Sequence, residues 1–175
     1  MQCQYKQLER ETARDRERLC GWFVLIYLVM LLELKLEKLQ SFLDKTHPPE
    51  ASYSGKGWLV RTTNEYRLRF AIDLKNYVRF PLIREIVIAR NAIVHNGGKP
   101  TSDYLELPNR RFLGKMTRME FLGLNDQDVI DFSNKDFKEV SVVLDEFVDW
   151  LVRELHFARD GSRPVGPLRG AQLVR

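Results

Sequence analysis

Arg90-Asn91-Ala92-Ile93-Val94-His95-Asn96-Gly97-Gly98 is the stretch of this chain whose residue types can do chemistry. Arginine holds phosphate, and histidine moves protons near neutral pH. The two stand five positions apart near the end of an apolar segment, which Asn-Gly-Gly then stops. Spacing alone is weak: with 18 Arg and 3 His in 175 residues, chance supplies about 0.3 such pairs. The surroundings must carry the reading.

Those surroundings are basic. From Lys56 to Arg118 there are 13 Lys and Arg against 5 Asp and Glu, a local +8; from Met119 to Phe157 there are 3 against 10, a local −7. A basic region inside a chain of net charge +4 suggests a polyanion partner, and RNA is the one expected. The other outcome is that the two halves neutralise each other across the fold. Arg84, Lys99, Arg110, Arg111 and Lys115 are the candidate phosphate contacts.

A length of 175 residues, 44% hydrophobic and 30% charged, fits one soluble domain with a real core. Cys3 and Cys20 are the only cysteines. On one helix they would lie roughly 25 Å apart, beyond disulfide reach. Two free thiols point to a reducing compartment, so a cytoplasmic location is expected. His47, His95 and His156 are too scattered for zinc spacing, and neither a metal nor a cofactor is expected. Leu19 to Leu32 is apolar for 14 residues. A membrane span needs about 20, so the run is read as a helix buried on all sides, with no membrane role and no signal peptide.

The elements that position the motif read as an all-α bundle of four to five helices. The first spans about Tyr5 to Asp44, with Gly21 placed to kink or split it. Pro48-Pro49 through Gly57 is a loop, and a second helix follows from about Trp58 to Leu74. Pro81 suits the first turn of a third helix, which runs to His95 and is capped by the Gly pair. On a wheel, Leu82, Ile86, Ala89 and Ile93 form one apolar side and Ile83, Val87 and Val94 another, so this helix sits centrally. Arg84, Asn91 and His95 share a narrow polar strip, while Arg90 falls on an apolar flank. There it must meet either an acid from a neighbouring helix or an anion at a shared site. His95, at the carbonyl end of its helix, is either a capping residue or a catalytic one. A short helix is expected around Arg111 to Leu122, and a brief extended piece over Asp128 to Phe132. Ser133 to Asp136 reads as a capping start for a last helix whose stripe is Phe137, Val140, Leu144, Phe147, Leu151 and Leu155. The single domain is expected to span 1–157, and 158–175 to form a flexible basic tail.

With these residues in place, the chain resembles the HEPN superfamily (higher eukaryotes and prokaryotes nucleotide-binding domains). That family's signature is Arg, four to six residues, then His, commonly with a polar residue after the Arg; here Arg90, Asn91 and His95 fill those places. The likeness takes in Ile72-Asp73-Leu74, Pro81 to Ile86 and Asn96-Gly97-Gly98, and covers about Trp58 to Leu155. It implies an up-and-down helical bundle that forms a homodimer, and a metal-independent endoribonuclease found among toxins and antiviral defence proteins. Some members only bind RNA or protein. In the active ones the RNA's 2′-OH attacks, His95 would be general acid or base, Arg90 would stabilise the phosphorane, and Asn91 would orient the imidazole or hold a phosphate oxygen. An antitoxin or regulatory protein is an implied partner. The branch regulated through a Tyr two residues after the His is not matched, since that position is Gly97.

Overall fold

A computed structural model describes residues 2–46, 55, 57–116 and 127–159. The order is α1 (Gln2–Thr46), α2 (Trp58–Phe70), α3 (Phe80–Asn96), α4 (Ser102–Leu105), β1 (Leu113–Met116), β2 (Gln127–Ile130) and α5 (Asn134–Arg159). The fold is an all-α bundle with one small hairpin. The expectations for most of the loop between α1 and α2, for 117–126 and for most of the tail fall outside the described residues.

α3 is the central helix. Ile83, Ile86, Val87, Ala89, Ala92 and Ile93 are buried on it, as the two apolar flanks require, but Val94, expected on the second flank, is 48% exposed. α3 runs antiparallel to both long helices. Its start lies near the middle of α5, where the Tyr77 hydroxyl donates to the Val143 carbonyl at 3.4 Å. Its end meets the N-terminal part of α1, where Trp22 covers Gly98. α1 and α5 lie side by side, with Leu25, Val29, Leu32, Val143, Phe147 and Leu151 buried in the same core.

α1 is uninterrupted, so Gly21 neither splits it nor serves as a break. It permits contact instead: a Cβ there would stand 1.7 Å from the Phe132 carbonyl oxygen. The helix is not buried on all sides either. Leu25, Leu28, Val29, Leu32 and Leu36 face the core, while Phe23, Tyr27 and Met30 are 72%, 59% and 55% exposed. The stretch Ala13–Lys45 is also long and apolar enough to cross a membrane by length and composition.

α2 ends at Phe70, four residues before the expected Leu74, because Ala71 takes a left-handed conformation (φ 52°) and returns its N–H to the Tyr66 carbonyl. A single 3₁₀ turn, Leu74–Asn76, follows, capped by Asp73. At the other end of α3, Gly97 is left-handed (φ 58°), the conformation glycine adopts at least cost. The helix expected from Arg111 is replaced, over the described part, by β1, which pairs antiparallel with β2 from Leu113 opposite Ile130 to Met116 opposite Gln127. Most of the extended piece expected at 128–132 is thus β2. At the start of α5, the Asp136 carboxylate accepts from both the Ser133 N–H (2.8 Å) and its hydroxyl (2.7 Å), a capping box closed by Asp.

Candidate functional site

The motif occupies the C-terminal half of α3. Arg90 lies on the flank next to α1, and of the two outcomes open for it the acid is present. Its Nη2 donates to Glu33 of α1 at 2.5 Å, and its Nη1 donates to the Asn91 side-chain oxygen at 2.9 Å. The Arg90 side chain is 16% exposed and that of Glu33 24%, so the pair is shielded without being sealed. The Arg90 Nε is buried with no acceptor among the described residues. Asn91 spends its oxygen on Arg90, so its amide N–H₂ remains the group that can address a phosphate oxygen.

His95 is exposed, one turn beyond Asn91, and its ring makes no hydrogen bond or ion pair among the described residues. It does not close on Arg90 within one subunit. Five residues of helix separate their Cα atoms by about 140° and roughly 7.5 Å of rise. Lys99, past the Gly97-Gly98 turn, is exposed at the same end of α3.

Three of the expected phosphate contacts gather elsewhere. Arg84, Arg110 and Arg111, joined by Lys75 and Arg79, line an open groove of about 1370 Å³ at the N-terminal half of α3. Its apolar lining includes Leu59, Leu82, Pro108 and Leu113. Arg84 is exposed and forms no ion pair among the described residues. Arg110 donates to the Leu105 carbonyl at 2.9 Å. Arg111 donates to Glu139 at 2.7 Å, which pushes its guanidinium further up from the ordinary arginine value. Arg79 lies 3.6 Å from Glu146. The groove and His95 are at opposite ends of α3, about 16 Å apart along the axis from Arg84 to His95. Lys115 is on β1, and its side chain is outside the described residues.

Two carboxylates matter that sequence reasoning missed. Glu33 closes the apolar run of α1, and a lone acid there was the available signal for a partner to the lone Arg on an apolar flank. Glu85, 2% exposed, has no comparable signal. Its Oε1 accepts from the Tyr104 hydroxyl (2.8 Å) and from the backbone N–H groups of Arg111 and Phe112. That carboxylate anchors the entry to β1 and so fixes the wall of the groove that carries Arg110 and Arg111. Burial, and then the hydrogen bond to Glu85, push the Tyr104 phenol well above the ordinary tyrosine value.

Comparison with protein-family models, with curated proteins and with solved structures finds no match.

Proposed function

We propose that the protein is an RNA-directed, metal-independent endoribonuclease of HEPN type, acting as a homodimer in the cytoplasm, with an antitoxin or regulatory protein as its further partner. The observation that carries the reading is the coupled Arg90–Asn91 pair, with Asn91 one helical turn from an exposed His95 that has no partner among the described residues. Arg90 supplies a fixed positive charge to the phosphorane, Asn91 a donor to a phosphate oxygen, and His95 the proton transfers to and from the ribose 2′-OH and the leaving 5′-oxygen. Products are a 2′,3′-cyclic phosphate and a 5′-OH. Because a single α3 holds Arg90 and His95 on different sides, the pair that acts on one linkage combines groups from two subunits.

The alternative is an RNA- or protein-binding module without catalysis, and the Glu33–Arg90 ion pair favours it, since it occupies the guanidinium that catalysis needs. One experiment separates the two. The nuclease cuts a mixed RNA substrate in excess EDTA, and His95→Ala and Arg90→Ala each lower the rate by roughly 10² or more. The module binds the same RNA in a salt-sensitive way, weakened by Arg84→Glu and Arg110→Glu, and cuts nothing.

A further inference from the structure

α1 is apolar on two opposite faces. One faces the core. The other carries Leu19, Phe23, Tyr27, Met30 and Leu34, every one of them 46–72% exposed. At 100° per residue these five fall within an arc of about 80°, and they run for roughly 22 Å along the axis. A continuous exposed stripe of large side chains of this kind marks an interaction surface, unlike apolar residues scattered singly.

The order of residues along the stripe says what covers it. Laid antiparallel against a second copy of itself, with the two-fold axis between Ile26 and Tyr27, the stripe puts Leu19 opposite the partner's Leu34 and Phe23 opposite the partner's Met30. The same register puts Arg16 opposite the partner's Glu37. Arg16 and Glu37 are exposed and form no ion pair among the described residues. Large meets large, and opposite charges meet at both ends, which is what an isologous contact requires: one patch complementary to itself. A lipid surface fits less well, because a helix lying on anionic lipid carries Lys and Arg along its flanks, whereas this stripe is bordered by Asp15, Glu33 and Glu37 as well as Arg16 and Lys38.

We propose that the homodimer named above is built on α1, the Leu19–Leu34 stripe packing antiparallel on its own copy. The inference does not rest on RNA cleavage. Glu33, the partner of Arg90, borders the stripe, so the contact lies alongside the motif without needing its chemistry.

The test is the mass of the purified full chain in solution by light scattering or sedimentation. A dimer of twice 20.6 kDa is expected at micromolar concentration. Phe23→Glu, at an exposed position that leaves the helical circular dichroism intact, raises the dissociation constant on the order of 100-fold. Arg16→Glu raises it roughly 10-fold, and adding Glu37→Arg restores it. For the register, Phe23→Cys and Met30→Cys are each made with Cys3 and Cys20 replaced by Ser. A mixture of the two proteins oxidises to a disulfide-linked heterodimer, and neither protein does so alone. A chain monomeric up to the highest soluble concentration overturns the proposal. So does a dimer indifferent to Phe23→Glu, or a Phe23→Cys protein that cross-links to itself. A monomer that instead sediments with phosphatidylglycerol vesicles through the same stripe overturns it in favour of a membrane surface.

Discussion

Arg90 on α3 and Glu33 on α1 form an ion pair at 2.5 Å between side chains that are only partly screened from water. The pair joins the motif helix to the longest helix of the fold, so its removal has two separable effects. Glu33→Gln keeps an acceptor and loses the charge, which costs about 1–2 kcal/mol, less than for a fully buried pair, read from the urea unfolding midpoint. It also removes a negative charge beside a proposed phosphate site. RNA affinity should then rise a few-fold, as read by titration at fixed salt. A fall in affinity would count against Arg90 as a phosphate ligand.

Glu85 is a buried acid, one oxygen of which accepts three hydrogen bonds. Glu85→Ala leaves the Tyr104 O–H and the Arg111 N–H without their carboxylate acceptor, while the Phe112 N–H keeps the Tyr104 hydroxyl oxygen at 3.1 Å. A loss of about 3–5 kcal/mol follows, against about 1–2 kcal/mol for Glu85→Gln, which retains the acceptor oxygen. Hydrogen exchange at the Arg111 amide, whose acceptor is the Glu85 carboxylate, locates the damage. If that amide exchanges no faster in Glu85→Ala, the carboxylate does not organise the groove wall.

How legible this was depends on the range of the interactions involved. α5 could be read directly, since Val140, Leu144, Phe147, Leu151 and Leu155 recur at helical spacing and all are buried, although Phe137, the first residue of the expected stripe, is 44% exposed. Gly97 could also be read, because a left-handed helix cap is set by its own backbone. β1 could not. Leu113-Gly114-Lys115-Met116 has no strand pattern of its own and becomes one through pairing with residues at 127–130 and through the Glu85 carboxylate on α3. The apolar run of α1 was legible as apolar, but local composition cannot tell which of its faces lacks a partner. At the motif, the sequence left Arg90 with two outcomes, and only the approach of α1 decides that Glu33 meets it.

Gly97 and Gly98 are adjacent, and both have positive φ, yet they answer to different physics. A Cβ on Gly97 meets nothing within 4 Å, so Gly97→Ala costs only the left-handed strain, about 1 kcal/mol, and Gly97→Asn less. A Cβ on Gly98 would stand 2.2 Å from the Trp22 ring, whose indole N–H donates to the Ile130 carbonyl at 2.7 Å. Gly98→Ala adds displacement of that ring to the strain, for a total of roughly 2–4 kcal/mol. Comparing the two thermal midpoints is the measurement. Equal losses would mean that Trp22 does not pack on the turn.

Alkaline pH reports on three buried tyrosines. The Tyr66, Tyr77 and Tyr104 phenols are all pushed up from the ordinary value near 10, burial being the first cause in each, so the folded state holds their protons where the unfolded chain releases them. The stabilisation is therefore complete below about pH 10 and is lost as pH rises from there toward the folded-state values. The unfolding midpoint should stay level into the mid-alkaline range and then fall steeply. The tyrosinate absorbance of these three residues should appear together with loss of helical circular dichroism and not before it. Tyr104→Phe lowers stability at neutral pH, by about 1 kcal/mol for the lost hydrogen bond to Glu85, and makes the alkaline fall shallower. A fall of unchanged slope in Tyr104→Phe would show that the Tyr104 phenol does not couple folding to pH.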